Sequence, residues 1–445
     1  MITKLLSGFM AGLLPYVLSG IVCAANLTIY NISYVNAAQL SCDGDPVLLE
    51  GQYPYSLIQD AYEDISPGTT GTISLQAVEF EENLTFNQNV TVILRGGLDC
   101  DFLEQPVSSY SIIDSMIISN GTIFAENIIL KDVVVYWASL PDTGQQTSLT
   151  DTYGEDHDYT INPPSYTLNG NGTTTDNVTG LMWQSIADDV SFNWYEASGT
   201  PDAEYNPGGV VDVCGDLSLA SYNDWRLPSE NELLGIVNYD LNSPAIDLAY
   251  FPGTTSHGYW SSTTHALYED EAWIVDFGFP YIPYGSVSYD SKISPDYKVM
   301  CVRGGQTSQS FTDNGDGTVT DMKTGLTWQQ GDSSQSRSWE EALTYCENLE
   351  LPVGQTDWRL PNIKELRSII DTATHSPAID LTNFPDTNLG DYWSSTHGWT
   401  YSHHNGTYTP SGAWAISLSI SHDDGYVNKL PTSSNAFARC VRGGQ

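Results

Sequence analysis

The chain of 445 residues carries 15 Lys and Arg against 55 Asp and Glu, a formal charge of −40 at pH 7. So few cations exclude nucleic acid, heparin-like polyanions and anionic membrane surfaces as partners, because clusters of Lys or Arg hold all three. The length suits three domains of ordinary size.

Residues 1–25 read as a secretory signal peptide. Lys4 supplies the positive region, an apolar run from Leu5 to Val22 follows, and Val22-Cys23-Ala24-Ala25 offers small residues for cleavage. No later stretch is apolar enough to insert in a bilayer. Cleavage leaves six cysteines, Cys42, Cys100, Cys214, Cys301, Cys346 and Cys440. An even set without a Cys-x-x-Cys reads as structural disulfides in an oxidising, extracellular or cell-surface compartment.

Residues 26–135 form a β-rich module. A short helix is expected over Ser56 to Tyr62, stopped by Ser66-Pro67-Gly68, and then β-branched runs alternate with short turns. The order of helix, Gly71-Thr-Ile-Ser-Leu75, Glu82-Asn-Leu-Thr85 and Val92-x-Leu94-x-Gly96-Gly97 resembles the start of right-handed parallel β-helix proteins of the pectin-lyase-like type. Residues 136–165, with Pro141, Gly144, Gly154, Pro163 and Pro164, read as a linker.

The remainder is a duplication. Tyr166 to Gln184 matches Phe311 to Gln329, and Asp224-Trp-Arg-Leu-Pro228 returns as Asp357-Trp-Arg-Leu-Pro361. Tyr259-Trp-Ser-Ser-Thr263 returns at Tyr392, and Cys-Val-Arg-Gly-Gly closes both copies at Cys301 and Cys440. The copies span 166–305 and 311–445. Each opens on a tight Asn-Gly-Asn/Asp-Gly-Thr turn. In the second, Ser338 with Glu341 is a capping box for a helix over Ser338 to Leu349, and Asn362 caps another over Ile363 to Asp371. Strands are expected at Trp393–Thr396, Ala413–Leu418 and Ala438–Arg442. The cysteines occupy corresponding places, which favours one bridge per repeat and leaves Cys42 and Cys100 for the first module.

The ordered run Gly-Asp-Gly-Thr-Val-Thr-Asp, Thr-Gly-Leu-x-Trp-Gln, Trp-Arg-Leu-Pro, Tyr-Trp-Ser-Ser-Thr and Cys-Val-Arg-Gly-Gly resembles the Lcl C-terminal domain family. Arg-Leu-Pro before a helix and the closing Val-Arg-Gly-Gly also resemble the formylglycine-generating-enzyme group. That likeness implies a C-type-lectin-like fold, with a helix cysteine (Cys214, Cys346) bridged to one in the last strand (Cys301, Cys440). The fold expected is therefore α+β: two tandem C-type-lectin-like domains after a small all-β, short β-helix-like module. The family implies a secreted or surface-exposed binding protein. A sulfated ligand does not suit so acidic a chain, and the repeats have no spare cysteine pair for oxidase chemistry.

Arg226, Arg303, Arg359 and Arg442 recur as pairs and are expected to tie down the Trp-Arg-Leu-Pro turns rather than clamp a ligand. The paired tryptophans are expected in the core. Ligand-binding aromatics are sought in the variable loops: Tyr281 and Tyr284 in the first repeat, Trp399, Tyr401, Tyr408 and Tyr426 in the second. Asp313, Asp316 and Asp321 form a carboxylate cluster reminiscent of calcium loops, the one cofactor expectation. His397, His403, His404 and His422 gather in one region but suit solvated loops better than a metal. No Gly-x-Ser-x-Gly elbow and no spaced carboxylate pair points to an enzyme. The expectation is a secreted, non-catalytic, adhesin-like protein for an extracellular glycan or protein ligand. The alternative is a self-associating subunit or decoration of an extracellular filament or matrix.

Overall fold

The computed structural model describes residues 16–23, 26–27, 44–50, 52, 54–66, 68–86, 90–103, 111–118, 122–135, 140–187, 189–278, 284–304, 309–351, 354, 356–402, 407–418 and 424–443. The chain divides into two compact units, Met1–Trp137 and Ala138–Gln445.

The first unit holds β1 (Tyr16–Cys23), β2 (Asn26–Leu27), β3 (Val47–Leu49), β4 (Pro54–Tyr55) and α1 (Ile58–Glu63). After them come β5 (Thr70–Gln76), β6 (Glu79–Phe86), β7 (Thr91–Leu98), β8 (Ser111–Ile118) and β9 (Thr122–Val135). The pairing is parallel in two columns. β5, β7 and the first half of β9 stack in one, β6, β8 and the second half of β9 in the other. Register places Ile73, Leu94 and Ala125 above one another, all buried. Alternate apolar residues facing inward explain why short runs separated by turns stack this way. The carboxylate of Glu82 accepts the amides of Ile58 and Gln59 and so closes the start of α1, which no side chain at Leu57 can cap. Part of the stretch read as a leader is strand β1, paired antiparallel with β9.

In the second unit the first repeat contributes β10 (Tyr166–Leu168), β11 (Thr173–Asp176), β12 (Met182–Gln184), α2 (Trp194–Ser198) and α3 (Glu230–Gly235). It continues with β13 (Gly258–Thr264), β14 (Glu271–Asp276), β15 (Val287–Ser291) and β16 (Val302–Arg303). The second repeat follows with β17 (Phe311–Asp313), β18 (Thr318–Asp321), β19 (Thr327–Gln329), α4 (Trp339–Glu347) and α5 (Ile363–Ser368). Its last strands are β20 (Gly390–Ser402), β21 (Thr407–Leu418), β22 (Val427–Leu430) and β23 (Val441–Arg442).

Each repeat closes a four-stranded antiparallel sheet, β10-β11-β12-β16 and β17-β18-β19-β23. The opening turns depend on glycine: Gly170, Gly172, Gly315 and Gly317 have φ of 72°, 88°, 73° and 87°. The other strands of both repeats merge into one six-stranded sheet of order β13-β14-β15-β22-β21-β20. That order is a palindrome, because β13, β14 and β15 correspond to β20, β21 and β22. The repeats meet as an isologous pair does, joined at Val287 opposite Val427 with α3 against α5. Two tryptophans cross the junction: Trp273 lies under Arg367 with 5.3 Å between guanidinium and ring, and Trp414 meets Tyr239 at 5.5 Å. One hydrophobic core runs through both repeats.

The expected α+β fold of two C-type-lectin-like domains is therefore wrong. Strands make up 33% of the chain and helices 11%. Among the described residues the five α-helices are short, α4 the longest at nine residues, too little to form a helical layer. The capping boxes at Ser338/Glu341 and Asn362/Glu365 are present, but α5 stops at Ser368 and the closing strand shrinks to Val441–Arg442. The segment expected as a linker also differs. Residues 140–162 lie as a strap on both repeats, with Asp142, Thr143, Gln145, Glu155, Asp156 and Ile161 buried.

Candidate functional site

The duplicated motifs build the frame. Arg359 makes a bidentate pair with Glu365 at 2.7 Å, and Arg226 does so with Glu232 at 2.6 and 2.8 Å. Each glutamate is also the N3 residue of its helix and accepts the backbone amide of the capping Asn362 or Ser229. The arginine thus locks a turn to a helix start, as expected. Arg303 and Arg442 grip Asp224 and Asp357 from the turn's other side. Trp183, Trp225, Trp260, Trp273, Trp328, Trp358, Trp393 and Trp414 are all buried. Disulfides join Cys214 to Cys301 and Cys346 to Cys440. Cys100 is also disulfide-bonded, and Cys42 lies outside the described residues.

On this frame β20 and β21 form an arm far longer than its counterpart β13–β14. Their lengths are 13 and 12 residues against 7 and 6. The extra length carries the candidate aromatics. Trp399 is half-buried, and its indole N–H donates to the carbonyl of Tyr239 at 2.9 Å. The hydroxyls of Tyr408 and Tyr284 lie 2.5 Å apart, so an aromatic of the arm meets one from the β14–β15 connection of the other repeat. Tyr239 sits beneath, its hydroxyl donating to the Gly285 carbonyl at 2.7 Å. Backbone register sets Tyr401 opposite Tyr408; Tyr281 lies outside the described residues. Tyr426 does not join them. Its backbone pairs with Ser417, nine residues along β21 from Tyr408, roughly 30 Å at the rise of a strand.

A family model described as the Lcl C-terminal domain matches residues 172–303 and again 317–442. The chain belongs to the Lcl C-terminal domain family. No curated protein and no solved structure matches it.

In both Lcl C-terminal domains the opening aspartates bond within their own turns. Asp313 is exposed and accepts the Gly315 amide, which holds its carboxyl below the usual range. Asp316 accepts the amide and hydroxyl of Thr318. Asp321 is buried and accepts Lys323 N–H and Thr324 O–H; burial pushes it up. Asp176 does the same in the first domain, with Val178 and Thr179. Each carboxylate serves its own turn, and no group of three metal-ligating side chains exists among the described residues. His397 is buried with Nε2 2.7 Å from the Thr147 carbonyl, and His403, His404 and His422 lie outside the described residues. An open groove of about 740 Å³ along α4 has its polar groups engaged locally: Glu340 with Thr152, Glu341 with Ser338, and Arg337 over Tyr345.

Under the arm lies a buried polar cluster that the sequence reading missed. Asp156 of the strap accepts hydroxyl hydrogen bonds from Thr143 at 2.7 Å and Thr396 at 2.6 Å. Lys364 is buried too, its ammonium donating to the carbonyls of Asp142 and Gly235, both at 2.8 Å. It staples strap, first domain and second domain together. Desolvation, then the neighbouring Asp142, pushes Asp156 up to about 7; desolvation draws Lys364 down to about 8. Comparing the domains gives the signal that could have found this. Thr263, the counterpart of Thr396, donates to Glu230 of its own α3. The second domain has Ile363 where Glu230 stands, and the strap supplies the carboxylate instead.

Proposed function

We propose that this protein is a non-catalytic binding protein of the extracellular space or cell surface, taking a glycan on the aromatic arm of its second Lcl C-terminal domain. The observation that carries the reading is the meeting of Tyr408 with Tyr284. Half-buried rings from both domains, each bearing a hydroxyl, converge there on a rigid frame. Flat rings flanked by hydroxyls suit the apolar face and hydroxyls of a sugar. The acidic chain suits a neutral or amine-bearing glycan and repels a sulfated one. The two disulfides fit an oxidising compartment, and no helix among the described residues is long and apolar enough to cross a membrane.

The test is a glycan array of the mature protein, followed by titration of hits with Tyr408→Ala and Tyr284→Ala. Selective binding to non-sulfated glycans, weakened at least tenfold by either change, supports the reading. Binding that survives both changes removes the arm from it. An array without hits, together with ordered polymers seen by electron microscopy, would replace it with a structural role.

A further inference from the structure

The strap bears three buried acidic side chains, of which Glu155 accepts the amides of Leu149 and Thr150 and lies 3.6 Å from His157 Nδ1. Asp142 and Asp156 are both buried, and among the described residues no cation lies within ion-pair distance of either carboxylate. Lys364 spends its ammonium on two carbonyls, and Arg359 is committed to Glu365. A buried carboxylate without a counter-ion is costly, so the protonated form is favoured.

The same segment holds the aromatic arm. The carbonyl of Thr143 accepts the Tyr239 amide at 2.9 Å. The side-chain amide of Gln145 bonds both backbone groups of His397, each at 3.0 Å, and the Thr147 carbonyl meets His397 Nε2. Trp399, two residues along β20, bonds the Tyr239 carbonyl in turn. The strap therefore touches both walls of the aromatic surface, through Tyr239 in the first domain and His397 in the second.

We propose that the strap is a pH-sensitive clasp on the aromatic arm, closed in mildly acidic medium and loosened as the buried carboxyl group of Asp156, beside Asp142, loses its proton. This holds whatever ligand the arm takes. The groups facing the pair come from every neighbour. Helix α5 and its preceding turn give Lys364, Glu365 and Arg359; Glu155, His157 and Asp158 are neighbours along the strap that bond among residues 149–158. The stretch after α3 gives Tyr239, and Asp176 of β11 acts on Lys364; Asp240 and His397 bond the strap at Gln146, Gln145 and Thr147. Asp156 titrates near 7 when folded, against an ordinary carboxyl value of 3.8. The closed strap thus binds a proton that the open strap releases. Its stability falls as pH rises between those two values and levels off above. Lys364 acts with the opposite sign above about 8, so the useful window ends below that.

The experiment is amide hydrogen exchange on the full chain from about pH 5 to about pH 7.5, corrected for intrinsic rates, reading peptides of 140–162 and 390–402. The expected result is an opening equilibrium that grows by up to about tenfold per pH unit in both segments. Asp156→Asn, which keeps the shape and the threonine bonds, is expected to remove most of that slope from both. Asp142→Asn is the second variant; by removing the neighbouring charge it is expected to shallow the slope as well. An unchanged slope in either variant overturns the clasp. So does a strap that loosens while the arm stays protected.

Discussion

Arg367 of the second domain lies 3.5 Å from Glu230 of the first, and both side chains are buried. Leu234 occupies the arginine's position in the first domain, and Ile363 the glutamate's position in the second. The duplicated domains have thus diverged at two positions so that a charge pair spans their junction. None of the three guanidinium nitrogens of Arg367 has a hydrogen-bond partner among the described residues, and burial lowers its pKa. Such a pair contributes little net stability but is costly to break on one side. Arg367→Leu and Glu230→Ile are each expected to cost about 3–5 kcal/mol. The double swap, which restores each domain's own repeat residue, is expected to recover most of that loss. Urea unfolding of the four proteins gives the coupling energy; additive single losses would show that the two residues do not act as a pair.

The frame of the repeats was legible in the sequence because its determinants are local or duplicated. Ser338 with Glu341, and Asn362, marked two helix starts, and matching cysteines pointed to the two bridges found. The merger of the repeats was not legible. Val287 and Val427 look like any strand valine, and only the tertiary structure shows that they face each other across the junction. Composition likewise misread 140–162, because proline, glycine and aspartate mark a loop without saying whether it is solvated. The departures from the repeat, Lys364 and Arg367 among apolar neighbours on α5, were the visible trace of that burial.

Two arginine pairs with similar geometry are expected to differ in worth. Arg359 and Glu365 are almost fully buried and bidentate, and Glu365 also caps α5. Removing the carboxylate in Glu365→Ala leaves an uncompensated buried guanidinium, at a cost of about 3–5 kcal/mol. Arg442 and Asp357 are also bidentate, but Asp357 is 53% exposed. Asp357→Ala is expected to cost less than about 1 kcal/mol and to matter less still in high salt. Denaturation midpoints at low and high sodium chloride separate the cases. Equal losses would mean that burial is not what distinguishes them.

Calcium is expected to leave the protein unchanged. The oxygens of Asp313, Asp316 and Asp321 already accept bonds from their own turns, and Asp321 is buried where Asp313 is exposed. A divalent ion at a built site would raise the melting temperature by mass action. Millimolar calcium and chelator are therefore expected to give the same melting curve, and a shift of several degrees would reinstate a site.

The two domains are expected not to fold apart. Each sends a tryptophan across the junction, Trp273 to Arg367 and Trp414 to Tyr239, and the central residues Val287 and Val427, paired across it, are both fully buried. A lone second domain, residues 311–445, would expose β22 as a free sheet edge, an invitation to aggregate. It would also leave Lys364 without the carbonyls of Gly235 and Asp142. Each large apolar side chain uncovered costs about 1.5–3 kcal/mol, against a total stability of about 5–15 kcal/mol for a domain. Residues 138–445 are expected to give a monomer with sharp near-ultraviolet circular dichroism. Residues 311–445 alone are expected to aggregate, or to self-associate through the vacated face in place of the first domain. Light scattering during size-exclusion chromatography decides it. A folded, monomeric single domain would show that the shared sheet joins two units that are stable without it.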